Sequence, residues 1–327
     1  MSIRAQDAPS TPGPRNITVY VRYPGGSMAN VNAQTGLMLL LHNWGGTDSA
    51  GAPDPKQLAD RYNVVVISVD YLQSGPWDPT RGVPYDFGYV QALDALRALY
   101  YVQAELESAG VRYARSRVYS TGGSGGGNVA LMANKLAPRT FACVVDISGM
   151  AKLNDDIAFG LPEGSTLNAG YGRDPEKENY LSPDAQALRY IGHPGHLDEM
   201  RAQGNTSTVV IIHGADDRVC PIEDVREMAQ NMKRAGMDVH LNVVTQDDLD
   251  GDVIKDAGHS IGDRTRLLFR YADEFLMPDG AKARYRRGPS DFERENGSVR
   301  YETPGGAYVI TYEKGYPTGR FEPQAAR

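Results

Sequence analysis

Apolar residues along this chain fall into two kinds of run. Gly36-Leu-Met-Leu-Leu-Leu41 and Val64-Val-Val-Ile-Ser-Val69 are continuous, as central parallel strands covered on both faces are. Ile17-Thr-Val-Tyr-Val-Arg-Tyr23 instead alternates with the two-residue period of a strand with one buried face. Val90, Leu93, Leu96, Leu99 and Val102 recur at helical spacing and predict a helix from about Tyr85 to Ala109, with Gly110 as its stop. A strand over Arg117 to Thr121, a Gly-rich turn and a helix from about Asn128 to Leu136 follow, then a strand from Phe141 to Ile147. Thr208 to Ile212 and Val239 to Val244 read as the last two strands of this series, with a helix near Ile222 to Ala235 between them and another over Arg264 to Phe275. Strands alternating with helices predict an α/β fold, a doubly wound and mostly parallel sheet.

Two stretches break the alternation. Residues 149–205 form a long insert rich in Gly, Pro, Asp and Tyr, which reads either as a lid over a binding site or as a surface excursion with short helices. The tail from Pro278 onward carries Val299 and Tyr301, then Tyr308, Ile310 and Tyr312, on alternate positions around a Pro304-Gly-Gly turn. That pattern predicts a β-hairpin, which must pack on the main body or on a second subunit because isolated hairpins are marginal in water. The division is therefore a main domain over 1–278 and a C-terminal extension over 279–327, the extension being a candidate homo-oligomer contact.

Composition narrows the class. The 327 residues are 41% hydrophobic, enough for a large core, and 34 Lys+Arg against 41 Asp+Glu leave a net charge of −7. An acidic chain lacks the basic face that nucleic-acid binding requires. No apolar run approaches the ~18 residues of a membrane span. The N-terminus has no apolar signal segment, so the expected location is cytoplasmic. Two cysteines, Cys143 in an apolar run and Cys220 in a loop before Pro221, form no disulfide framework or zinc-binding pattern.

The chemistry is concentrated in Val118-Tyr-Ser-Thr-Gly-Gly-Ser-Gly-Gly-Gly-Asn-Val-Ala130. Gly122-Gly-Ser-Gly-Gly126 matches G-x-S-x-G between a predicted strand and a predicted helix, the context of a nucleophile elbow. Phosphate-cradling loops fit worse: no lysine follows, and Asn128 stands where G-x-G-x-x-G needs its third glycine. Ser124 needs a base, itself oriented by an acid. Of six histidines, His240 falls inside a strand, whereas His259 lies in a loop between the last strand and the last helix and is the candidate base. Asp217, at the end of the Thr208–Ile212 strand in His213-Gly-Ala-Asp-Asp-Arg-Val, is the candidate orienting acid. Its neighbour Asp216 reads as a turn residue, and His213 as a histidine that stabilises the turn. An oxyanion hole needs two backbone N–H groups. Gly125 supplies one, and the loop His42-Asn-Trp-Gly-Gly46 offers the other, through Trp44. Trp44 also reads as a wall of an acyl pocket or as a buried loop tryptophan. Trp77 and Tyr85, after the third strand, line a substrate entrance or simply pack.

These segments together resemble the α/β-hydrolase superfamily over roughly residues 15–278. His42-Asn-Trp-Gly-Gly is similar to its H-G-x-G-G oxyanion loop, Gly122-Gly-Ser-Gly-Gly to its elbow, His213-Gly-Ala-Asp-Asp-Arg-Val to its acid loop, and Gly258-His259 to its base. Within the superfamily the chain looks like the esterase and prolyl-oligopeptidase-like branches. Asn43 departs from the glycine that usually follows the oxyanion histidine, and the tail after Pro278 lies outside the resemblance. The resemblance implies an α/β-hydrolase sandwich with a lid-like insert, a Ser124–His259–Asp217 triad, and ester or amide substrates.

The resulting expectation is a carboxylesterase acting on a small-molecule ester through an acyl-enzyme, with no cofactor and no metal. Rival readings are a serine peptidase or amidase, and a receptor that keeps the fold. Three other features are expected to be inert. Asp247-Asp-Leu-Asp-Gly-Asp252 lacks the Glu that a calcium loop carries at its twelfth position. His193 and His196 read as a surface turn, and Arg284-Tyr-Arg-Arg287 as a solvated linker.

Overall fold

The computed structural model describes residues 1–325 apart from 10, 12, 79, 81 and 295. Its main sheet has eight strands: β1 (Ser2–Arg4), β2 (Asn16–Arg22), β3 (Gly36–Leu41), β4 (Val64–Asp70), β5 (Val118–Gly123), β6 (Cys143–Ile147), β7 (Thr208–Gly214) and β8 (Asp238–Val244). Their spatial order is β1-β2-β4-β3-β5-β6-β7-β8, antiparallel across β1, β2 and β4 and parallel from β4 through β8. The continuous apolar runs are explained by burial on both faces. Leu37, Leu39 and Leu41 of β3 join one core, and Met38 and Leu40 the other. The first core lies under α2 (Tyr89–Ser108), α3 (Gly125–Leu136) and α7 (Ile222–Arg234); the second lies under α1 (Pro55–Tyr62) and α8 (Arg264–Leu276).

Boundaries shift where backbone chemistry overrides periodicity. The helix predicted from Tyr85 begins at Tyr89, because Phe87 (φ 56°) and Gly88 (φ 99°) are left-handed. Asp86 closes its start, accepting from the Val90 and Gln91 amides at 2.6 and 3.0 Å. Helix α3 starts at Gly125, before the predicted Asn128. Helix α1 was not anticipated; Asp54 caps it and Pro55 opens it.

The 149–205 insert folds into three short helices, α4 (Asp155–Phe159), α5 (Pro183–Leu188) and α6 (Pro194–Ala202). His193 and His196, expected in a surface turn, stack at 4.0 Å with His196 buried, and His196 Nε2 donates to the Glu302 carbonyl at 2.9 Å. The basic cluster is likewise not a solvated linker: Arg286 is buried, pairing with Glu293 at 2.9 Å and donating to the Arg115 carbonyl at 3.0 Å.

The predicted hairpin is present as β9 (Gly297–Thr303) and β10 (Gly306–Glu313), extended by a third antiparallel strand, β11 (Tyr316–Pro323). It docks on the main body. Tyr312 Oη donates to the Leu136 carbonyl at 2.7 Å, Tyr301 Oη to that of Lys135, and Arg97 Nε to that of Pro317 at 3.0 Å. No helix among the described residues is long and apolar enough to cross a membrane.

Candidate active site

The turn between β5 and α3 is built around Ser124, which sits at φ 56°, ψ −121°. A side-chain-bearing residue in that region is strained, and such strain persists only where the surroundings fix it. Here the Ser124 amide donates to the Ile147 carbonyl at 2.8 Å, and the glycines flanking the serine remove the steric obstacle. A methyl group on Gly122 would collide with the Gly126 backbone, and one on Gly126 with the Leu41 carbonyl. The elbow therefore presses directly against the end of β3.

Three loops at the carboxyl end of the sheet converge on this serine. Ser124 Oγ lies 2.9 Å from His259 Nε2, and His259 Nδ1 lies 2.8 Å from Asp217 Oδ2. With Asp217 ionised, Nδ1 carries the proton and Nε2 is left to accept from the serine hydroxyl. The Asp217 side chain is fully buried, while that of His259 keeps 20% of its surface exposed, so this hydrogen-bonded series runs from the interior to the solvent edge. The loops are tied to each other as well: the Asp216 amide donates to the Ala257 carbonyl at 2.9 Å, next to His259. Asp216 itself points elsewhere and accepts from Gln246 Nε2 at 2.7 Å. His240 stays on β8, beside Asp238.

Asp217 is heavily hydrogen-bonded. Its Oδ1 accepts from the Val219 and Cys220 amides at 2.8 and 2.9 Å. Burial pushes the carboxyl up, but the hydrogen bonds from His213 and His259 outweigh it and hold Asp217 well below the usual carboxylate range. The His213 contact was not anticipated. Its Nε2 lies 2.8 Å from the Cys220 carbonyl and 3.2 Å from Asp217 Oδ2, so one N–H serves both acceptors. Burial lowers the His213 pKa, yet Asp217 and Asp146 together raise it above its ordinary value. The four-residue spacing of His213 and Asp217 was the available signal, since both lie in one turn.

Trp44 lies directly against the elbow, with its amide nitrogen 2.8 Å from where a Gly125 methyl would stand. The Trp44 and Gly125 N–H groups have no acceptor among the described residues. His42 is held behind them, its Nδ1 2.8 Å from the Asn43 carbonyl, its Nε2 2.6 Å from Ser74 Oγ, and its ring stacked on Tyr71 at 3.9 Å. Trp44, Trp77 and Tyr85 form one aromatic group. Tyr85 stacks on Trp44 at 3.6 Å and 7°, and Trp77 meets both rings edge-on at 5.6 and 5.4 Å. In the acidic loop 247–252, Asp250 pairs with Arg270 and Asp252 with Arg266.

Sheet order, the strained serine turn and the converging loops define an α/β-hydrolase fold, and the solved structures similar to this chain share it. Acylaminoacyl peptidase from Pyrococcus horikoshii superposes with a TM-score of 0.55 at 16% identity, covering 82% of this chain and 39% of the peptidase. Dipeptidyl peptidase 4 from Porphyromonas gingivalis gives 0.55 at 15% identity, over 84% of this chain and 35% of its own. Esterase 2 from Thermogutta terrifontis gives 0.49 at 17% identity, over 80% and 89%. The chain thus spans less than half the length of the two peptidases. A family model described as "Protein of unknown function (DUF2920)" matches residues 68–303, and the chain belongs to that family. No curated protein matches it.

Proposed function

We propose that this protein is a serine hydrolase that cleaves carboxylic esters through an acyl-enzyme. The observation that carries this reading is the continuous hydrogen-bonded series Ser124 Oγ, His259, Asp217 at 2.9 and 2.8 Å, headed by a strained serine. Ser124 Oγ attacks the substrate carbonyl as His259 Nε2 takes its proton. The negative charge that develops on the carbonyl oxygen is received by the Gly125 and Trp44 N–H groups. His259 then gives the proton to the leaving alkoxide, and water releases the acyl group by the same sequence. Asp217 fixes the imidazole tautomer throughout, and the reaction calls on no cofactor. Trp44, Trp77 and Tyr85 bound the substrate side of the serine in this reading. Residues 1–278 form the hydrolase domain with 149–205 as its lid, and 279–327 the extension.

A second substrate class has its own support. The Pyrococcus and Porphyromonas structures, which superpose with TM-scores of 0.55, are both peptidases, which favours amide or peptide bonds. The test is hydrolysis of p-nitrophenyl esters from acetate to laurate beside N-acyl-aminoacyl p-nitroanilides, by wild type and Ser124→Ala. Loss of roughly 10³-fold or more in the variant supports the mechanism. Faster turnover of the esters supports the esterase, and of the anilides the peptidase. Equal rates in wild type and Ser124→Ala would refute the serine mechanism.

A further inference from the structure

Cys220 has no part in the proposed relay, yet it lies at its heart. It is fully buried, and its own amide is one of the donors to Asp217 Oδ1. Asp217, Cys220 and His259 each offer one ligand atom, a carboxylate oxygen, a sulfur and an imidazole nitrogen, and these atoms all lie within 4.8 Å of one another. Zinc–sulfur bonds of about 2.3 Å and zinc–nitrogen or zinc–oxygen bonds of about 2.0–2.1 Å place tetrahedral ligand atoms roughly 3.3–3.6 Å apart. A contraction of about an ångström converts the cluster into a three-ligand site. The His259 side chain, 20% exposed, gives the cluster a route to solvent.

We propose that Asp217, Cys220 and His259 form an inhibitory site for a soft divalent cation of the zinc and cadmium class. Binding forms bonds from the metal to the three side chains, and the thiol releases its proton to solvent. Thiolate and carboxylate then neutralise the dication. That matters because the half-buried Arg264 guanidinium, whose charge acts on both Cys220 and Asp217, would oppose an uncompensated cation. Occupancy and the relay exclude each other. A metal on His259 Nδ1 displaces the proton held for Asp217, and the imidazole must then carry its proton on Nε2, where it no longer accepts from Ser124. A metal on Nε2 takes that lone pair directly. The inhibitory consequence rests on the serine-hydrolase reading; the binding does not.

Cadmium titration of the full-length Ser124→Ala protein separates the two, since cadmium thiolates absorb in the ultraviolet and this variant keeps every ligand. The expected result is one equivalent bound per chain. The absorption should persist when Cys143→Ala is added and vanish with Cys220→Ala or Cys220→Ser, each variant being checked for folding by its near-ultraviolet circular dichroism. With the Ser124 protein and a working substrate, Zn2+ should inhibit, and either Cys220 variant should weaken inhibition by at least about tenfold. An absent band, a band that survives loss of Cys220, or equal inhibition with and without the thiol overturns the site. A chain that binds cadmium but hydrolyses nothing overturns the hydrolase reading alone.

Discussion

His213 provides the sharpest test of how the proposed relay is held. Its Nε2–H is shared between the Cys220 carbonyl at 2.8 Å and Asp217 Oδ2 at 3.2 Å, and Asp217 Oδ2 also accepts from His259 Nδ1–H at 2.8 Å. His213→Leu keeps apolar volume in a fully buried position and deletes the donor. A hydrogen bond to a charged group contributes about 1.5–3 kcal/mol. The Asp217 arm is the longer of the two, so the lower end of that range applies. At about 1.4 kcal/mol per decade of rate, kcat/KM should fall by about tenfold. The loss should appear in kcat with KM little changed, because His213 acts through Asp217 and touches no substrate. His213→Gln keeps an N–H donor and should restore most of the rate. The assay is steady-state kinetics on the best p-nitrophenyl substrate, with the downfield proton NMR signal of His259 Nδ1–H as a direct probe of the Asp217 contact. That signal should shift or broaden in His213→Leu and return in His213→Gln. A folded His213→Leu protein within about twofold of wild type, or a glutamine variant as slow as the leucine one, would refute a positioning role.

Three further outcomes follow from the packing. Gly126→Ala should lose both activity and stability, since its methyl group falls on the Leu41 carbonyl at the base of the elbow; a thermal melt unchanged from wild type would contradict this. Burial pushes the Asp146 carboxyl up to about 7, outweighing the nearby His213 and Gly149 amide that favour its ionised form. Because the folded value exceeds the unfolded one, ionising Asp146 costs nothing below about pH 4 and costs most above about pH 7. Asp146→Asn should therefore raise the melting temperature at pH 8, by an amount that shrinks to nothing near pH 4; a gain independent of pH would count against the assignment. Arg189→Ala breaks the buried pair with Asp86 (3.0 Å) and should destabilise by about 3–5 kcal/mol in denaturant titration. A loss below about 1 kcal/mol would mean that the pair is not buried in solution.

Sequence pattern revealed the sheet because its central strands are apolar on both faces, so runs such as Val64 to Val69 leave few alternatives. It revealed the serine turn because only small residues fit there. It failed where local backbone geometry decides. Tyr85 and Phe87 continue the apolar series of α2, but the left-handed Phe87 and Gly88 turn them away from the helix and toward the aromatic group at Trp44. β11 was invisible because Pro317, Gly319 and Pro323 interrupt its alternation, although its outer position in the small sheet tolerates them. His213 does stabilise its turn through the Cys220 carbonyl, as its place in the sequence suggests; its second contact, to Asp217, was signalled only by their four-residue spacing.

The misread segment is also where the parts of the molecule meet. Asp86 does two jobs: one oxygen accepts from the first turn of α2, and the other pairs with Arg189 from the insert. Arg189 Nε additionally donates to the Asp86 carbonyl at 2.5 Å and Nη1 to that of Ala185 at 3.1 Å, so the insert grips the backbone as well as the charge. The next residue back, Tyr85, carries the ring stacked on Trp44, and its amide donates to the insert at Ala169 at 2.8 Å. A displacement of the insert thus reaches the Trp44 loop through two hydrogen-bonded attachments and one stacked pair of rings. Trp44 in turn lies against the elbow, its amide nitrogen 2.8 Å from where a Gly125 methyl would stand. The insert is therefore tied to the Trp44 loop, and substitutions at Arg189 should disturb the geometry around Ser124 without touching it.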